Sequence, residues 1–223
     1  MPFLQSGRAF AMMAALVSAL VAPAVAQEVG PRQQAFRQIY RELVEINTTN
    51  SVGDSLRAAE AMAARLRAAG LAADDVQVIS SGPRKGNLVA RLRGTGARRP
   101  MLLIAHLDVV EAKREDWTFD PFRLQEVDGY FRGRGAIDDK EMASIFLANL
   151  IEYVKEGFKP DRDIILALTA DEELSDSPHD CAHYLLDHHR ALIDAEFAIN
   201  EGWRGKGDSR KAGQGRCGGS GYA

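Results

Sequence analysis

The segment from Met101 to Ala105 constrains the fold most, because it is apolar throughout and leads directly into His106 and Asp108. A strand exposed on one face alternates apolar and polar residues, whereas a continuous apolar strand needs helices over both faces. The segment therefore predicts a central strand of an α/β sheet. Ligands of such sheets bind beyond the carboxyl ends of the strands, which is where the imidazole and the carboxylate follow.

Two further apolar strands end in the same way. Residues 163–169 precede Glu172 and Glu173, and residues 196–200 precede Glu201. Alternation of such strands with helices favours a three-layer α/β/α domain with a mostly parallel sheet. Helical periodicity is found over about residues 31–46, 55–69, 139–156 and 181–188. Residues 122–132 predict a hairpin with an Asp-Gly turn.

The strand ends carry residue types that can bind metal ions, and for His106 and Asp108 the alternative is a pair in a surface loop. His106 and Asp108 are two apart, so an extended backbone points both the same way, and the carboxylate can hold the ring nitrogen that a metal leaves free. Asp138 has two interpretations. It can cap the following helix, or it can bind a cation, because Gly133 and Gly135 let the backbone approach a site closely.

Glu172 and Glu173 are adjacent carboxylates that repel each other unless a positive charge lies between them. A pair of divalent cations would supply that charge, with one carboxylate as a ligand and the other as a general base. A solvated acidic turn is the alternative. Glu201 adds one more carboxylate at a strand end.

In this order and spacing, the motifs resemble the co-catalytic zinc peptidase family. That family contains aminoacylase, acetylornithine deacetylase, succinyl-diaminopimelate desuccinylase, carnosinase and the carboxypeptidases G. The resemblance covers roughly residues 37–202. The motifs that carry it are residues 106–110, 117–122, 128–129, 133–140, 170–173 and 200–202.

The resemblance implies a pair of zinc ions, with cobalt or manganese as substitutes. His106 and Glu201 would bind the first ion, Asp138 would bridge both, and Glu173 would bind the second. It also implies a cis peptide bond between Asp138 and Asp139.

The remaining roles follow from the same resemblance. Asp108 would orient His106, and Glu172 would be the general base. The reaction would be hydrolysis of an amide bond in a small peptide or an N-acyl-amino acid, without a covalent enzyme intermediate. A zinc aminopeptidase of a related branch is disfavoured by the Gly-Arg-Gly before Asp138 and by residues 117–122.

The chain departs from the family pattern after residue 203. Family members are much longer and add a lid, which often forms a homodimer, and a terminal histidine ligand. No histidine follows His189, so only Asp138 and Glu173 would hold the second zinc. We therefore expect a truncated or frameshifted, incomplete catalytic domain over residues 27–203 with an exposed apolar edge, poor solubility and impaired activity. The alternative is a catalytically inactive metal-binding fragment.

The chain ends predict segments outside the domain. Residues 1–26 have the pattern of a secretory signal peptide, with Arg8 before an apolar run and Ala24 and Ala26 at the cleavage positions. The mature protein is therefore expected in the periplasm or outside the cell, with no membrane association. Residues 204–223 are rich in glycine, lysine and arginine and predict a disordered tail.

Other features suggest no further ligand. The net charge is -3. The sequence lacks a basic patch interleaved with aromatic residues, the pattern that would indicate nucleic-acid binding. Cys181 and Cys217 form neither a metal motif nor a disulfide framework. His179 and His183 are four apart but are interpreted as a polar helix surface.

Overall fold

A computed structural model describes residues 29–174, Ser177 and residues 181–201. The predicted signal peptide, the predicted tail and Cys217 lie outside these residues. The helices are α1 (Pro31–Glu45), α2 (Ser55–Ala68), α3 (Lys140–Lys155), α4 (Cys181–His188) and α5 (Arg190–Ile193). The strands are β1 (Val76–Gly82), β2 (Lys85–Leu92), β3 (Met101–His106), β4 (Gln125–Val127), β5 (Tyr130–Arg132), β6 (Ile164–Thr169) and β7 (Phe197–Ile199).

Five strands form the main sheet in the order β1-β2-β6-β3-β7. Strand β2 is antiparallel to both of its neighbours, whereas β6, β3 and β7 are mutually parallel. All strands except β2 therefore run in one direction, which confirms the predicted α/β fold with a mostly parallel sheet. Strands β4 and β5 form the predicted hairpin, with Asp128 and Gly129 both at positive φ.

Helices cover both faces of the sheet and give the predicted three layers. On one face, α2 and α3 pack against the sheet through residues such as Met62 and Leu147, and α1 packs against α3 and α2 and adds Leu43 to the same core. On the other face, Leu185 of α4 and Ile193 of α5 pack against the sheet. Strand β6 is buried at every position because it lies inside both interfaces. Its continuous apolar sequence is the direct consequence.

Strand β7 is an edge of the sheet among the described residues, since it pairs with β3 on one side. Its side chains are exposed, with Phe197 at 46% and Ile199 at 43%. Within the described part of the chain, no helix has the length and apolarity needed to span a bilayer.

The parallel strands position the site. Strands β3, β6 and β7 run side by side in the same direction, so the residues that follow each of them emerge at the same edge. His106 ends β3, Glu172 and Glu173 follow β6, and Glu201 follows β7.

Candidate metal centre

His106 lies at the centre of a group of acidic side chains and is itself buried. Its Nε2 atom is 2.9 Å from Asp138 Oδ1, 3.8 Å from Glu201 Oε1 and 3.9 Å from Glu172 Oε2. The ligand atoms of His106, Asp138 and Glu201 all lie within 4.8 Å of one another. These residues are separated by almost half of the chain. They are brought together because His106 ends β3, Asp138 precedes α3 and Glu201 follows β7.

Asp138 does not cap helix α3. The residue at the N-cap is Asp139, whose side chain makes no capping hydrogen bond, and the Asp138 carboxylate instead accepts from His106 Nε2. The capping interpretation of Asp138 is therefore wrong. The peptide bond between Asp138 and Asp139 is cis, as the sequence resemblance implied.

Asp108 contacts His106 differently from the sequence-based expectation. The His106 Nδ1 atom lies 3.0 Å from the main-chain carbonyl of Asp108 and 3.7 Å from its Oδ1 atom. The Asp108 carboxylate instead accepts from the backbone N–H groups of Glu172 and Glu173, at 3.1 and 3.0 Å. Asp108 therefore contacts the imidazole through its main chain and holds the glutamate turn through its side chain.

This arrangement suits a neutral imidazole ligand. With Nδ1 donating to the Asp108 carbonyl, Nε2 faces the carboxylates of Asp138 and Glu201 and would offer its lone pair once a metal ion displaced the Nε2 proton. One imidazole nitrogen and several carboxylate oxygens form a donor set that zinc binds in proteins. The residues present therefore fit a divalent cation.

Glu173 does not belong to the group of converging ligand atoms. Among the described residues, that group consists of His106, Asp138 and Glu201. Glu173 is nevertheless close enough for charge interactions. Burial raises its carboxyl pKa, and the charge of Asp138 raises the pKa further.

The electrostatics of the site favour a positive charge at Nε2. Burial lowers the pKa of His106, but the hydrogen bond to Asp138 and the charges of Asp108, Asp139 and Glu172 raise it to about 10. Without a metal ion, the acidic groups therefore keep a proton on the imidazole. A divalent cation coordinated by the same carboxylates would replace that charge.

Glu172 has the electrostatic properties of a proton acceptor. Burial raises the pKa of its carboxyl group to about 7, while the charge of His106 lowers it and those of Glu201 and Glu173 raise it. A carboxyl group with a pKa near neutrality can both take up and release a proton.

Sequence reasoning missed buried polar residues around the site. Asp139 and Asp171 are buried acidic groups beside the site, and Asp171 pairs with Lys85. Lys140 is fully buried and donates to the carbonyl of Ile46 at 2.8 Å, and burial lowers its pKa to about 7. The sequence around Lys140 gives no signal of its burial, because its partner Ile46 is 94 positions away.

Comparisons with known proteins give a family match and several partial relatives. Residues 102–211 match the model of peptidase family M20/M25/M40. Succinyl-diaminopimelate desuccinylase from Delftia acidovorans is 46% identical over 100 residues, which are 43% of this chain and 26% of that protein. N-fatty-acyl-amino acid synthase/hydrolase PM20D1 from Xenopus tropicalis is 45% identical over 76 residues, which are 34% of this chain and 15% of that protein.

Solved structures share the fold. Human carnosine dipeptidase 1 superposes with a TM-score of 0.61 at 22% identity, covering 76% of this chain and 38% of that chain. The metallo-carboxypeptidase Sso-CP2 from Sulfolobus solfataricus gives a TM-score of 0.61 at 18% identity, covering 75% and 37%. The chain thus spans well under half the length of these relatives. The described residues share the fold of these structures, and residues 102–211 resemble peptidase family M20/M25/M40 in sequence.

Proposed function

We propose that this chain is part of a metal-dependent hydrolase that cleaves amide bonds in small peptides or N-acyl-amino acids. The observation that carries the proposal is the convergence of His106, Asp138 and Glu201 within 4.8 Å. Relatives named as a desuccinylase and as an N-fatty-acyl-amino acid synthase/hydrolase support the substrate class. Zinc is the proposed metal, because it accepts imidazole and carboxylate ligands and keeps an open position in catalytic sites.

A bound divalent cation would polarise the substrate carbonyl and lower the pKa of a water molecule to about 7. The chain's own residues would handle the proton. Glu172 Oε2 takes the proton from the attacking water and returns it to the leaving amine. Its side chain is three-quarters shielded from solvent and lies 3.9 Å from His106 Nε2. Asp108 keeps this carboxylate in place through the Glu172 backbone.

The full proposal includes a second ion held by Asp138 and Glu173. The position of Glu173 outside the converging group favours a second candidate function, a protein that binds one ion and does not catalyse. Metal stoichiometry separates the two. Binding of a pair of ions with hydrolysis supports the enzyme, and one ion without hydrolysis supports the metal-binding protein.

The experiment combines Zn²⁺ titration with hydrolysis assays on the full chain. The substrates are an N-fatty-acyl-amino acid, an N-succinyl-amino acid and a dipeptide. His106→Ala should lose tight Zn²⁺ binding and hydrolysis, whereas Glu172→Gln should keep the metal and lose hydrolysis. His183→Ala on the exposed face of α4 is the matched control. Wild-type Zn²⁺ affinity in His106→Ala would contradict the proposed site.

We also propose that the mature protein acts in the periplasm or outside the cell. The signal-peptide pattern of residues 1–26 supports this location. Mass spectrometry of the exported protein should find a new N terminus after Ala26, and an intact N terminus on cytoplasmic protein would contradict it.

A further inference from the structure

Side chains of strand β2 continue the contact with β6 beyond the point where their backbone pairing ends. The last backbone pair on this side joins Leu88 to Leu168. Asn87 then accepts a hydrogen bond from the backbone N–H of Ala170 at 2.9 Å through its side-chain oxygen. Lys85 is two residues further along the strand and extends from the same face.

The Lys85 ammonium group binds the next residue of the turn. Its Nζ atom is 2.5 Å from Asp171 Oδ1 and also donates to Asn50 Oδ1 at 3.0 Å. The other Asp171 oxygen accepts from the Ser177 hydroxyl at 2.9 Å. The side chains of Lys85 and Asp171 are only 12% and 1% exposed. Both charges are therefore largely removed from water.

The ion pair holds an unfavourable backbone conformation. Asp171 has a φ of 64°, in the left-handed region that residues other than glycine seldom adopt. Such a conformation persists where surrounding contacts fix it. The turn at Asp171 directs the backbone N–H groups of Glu172 and Glu173 onto the Asp108 carboxylate.

We propose that Lys85 is a positioning residue for the glutamate pair. Through Asp171 it fixes the turn that presents Glu172 and Glu173 at the mouth of the sheet. Its ammonium binds Asp171 and Asn50, and a protonated amine has only donors and no lone pair for a metal ion. Removing one partner of a buried ion pair leaves the other charge uncompensated, so the loss of Lys85 would release Asp171. The catalytic part of this inference rests on the proposed function of Glu172.

Amide hydrogen exchange of the full metal-free chain tests the positioning directly. In Lys85→Met, exchange at the Glu172 and Glu173 amides should rise at least about tenfold, as expected when a buried charge partner is lost and a turn opens locally. Exchange within β6 should stay unchanged. Lys85→Arg keeps the charge and should restore protection, and Lys113→Met removes an exposed lysine as the matched control.

Each outcome decides the inference. Unchanged exchange at both glutamates in Lys85→Met would overturn it, as would a uniform rise across the whole sheet, which would show only a role in global stability. If Lys85→Met does not fold, Lys85→Gln provides the same comparison, because it removes the charge and keeps a donor.

Hydrolysis supplies a second readout that separates this inference from the proposed function. Lys85→Met should lower kcat by about 10- to 100-fold with little change in KM, a range typical of residues that support a metal site indirectly. The affinity for the first Zn²⁺ equivalent should remain that of the wild type. A wild-type chain without hydrolysis would end the proposed function, and the exchange measurement would still decide the role of Lys85.

Discussion

Replacing Gly135 by alanine should destabilise the chain through two effects that can be measured separately. Gly135 has a φ of 75°, so any side chain there adopts a strained backbone conformation. A Cβ atom would also lie 2.6 Å from Val109 Cγ1 and 3.1 Å from Lys140 Cδ. Both neighbours are buried and have little room to move. Gly135 lies three residues before the candidate ligand Asp138, so the strain should reach the metal site.

The expected magnitude follows from adding the two effects. A left-handed conformation costs a residue with a Cβ about 1–2 kcal/mol, and overpacking in a tight core costs about 1–3 kcal/mol. Gly135→Ala should therefore lower the free energy of unfolding by about 3 kcal/mol. Gly129 provides the matched control, because its φ is 80° and a Cβ atom added there would have no other atom within 4 Å. Gly129→Ala should cost about 1 kcal/mol, from backbone strain alone.

Urea unfolding with EDTA present measures these differences without a contribution from metal binding. The steric effect is isolated by adding Val109→Ala to Gly135→Ala, and the two changes should show a favourable coupling of about 1–2 kcal/mol. Zn²⁺ titration should show weaker binding in Gly135→Ala than in Gly129→Ala. Equal stability of the two alanine variants, or no coupling with Val109, would refute the reasoning.

Two further predictions concern the scaffold around the site. Burial raises the pKa of Asp163, but hydrogen bonds from the Gly94 N–H and from Arg91 outweigh burial and lower the pKa overall. The ionised Asp163 carboxylate therefore stabilises the fold at pH values above about 3.9, the pKa of an aspartate in the unfolded chain. This stabilisation should disappear as the pH falls through the lowered folded value, so Asp163→Asn should cost about 1–2 kcal/mol at pH 7 and converge with wild type in acid-unfolding curves. A constant difference between the two curves at all pH values would contradict this. Tyr40→Phe removes a hydrogen bond to the Ala136 carbonyl, and urea unfolding should show a loss of about 1 kcal/mol, whereas an unchanged midpoint would argue against that bond.

The strands could be predicted because their signals are local, whereas the set of metal ligands followed from the resemblance to a known family. The apolar run before His106 indicates a buried strand by itself, and Glu172, Glu173 and Glu201 come shortly after the ends of two further strands. Once the strands are parallel, their ends must meet at one edge. The Asp128-Gly129 turn was equally local, since both residues adopt the positive φ that such hairpins require.

Contacts between distant parts of the chain gave no such signal. The pairing of Lys85 with Asp171 joins residues 86 positions apart, and nothing in their immediate sequence indicates burial. The Asp108 carboxylate was expected to bind the imidazole, but it binds the glutamate amides, because the turn after β6 places two N–H groups against it. Spacing along one strand could not reveal a contact that depends on a second strand.

X-ray absorption spectroscopy of the Zn²⁺-loaded full chain tests the central claim most directly. We expect imidazole nitrogen and carboxylate oxygen ligands at about 2.0–2.2 Å, and His106→Ala, which must be loaded with excess Zn²⁺ because it binds the ion weakly, should lack the nitrogen contribution. Sulfur ligands at about 2.3 Å, or a spectrum unchanged in His106→Ala, would contradict a metal centre built on His106, Asp138 and Glu201.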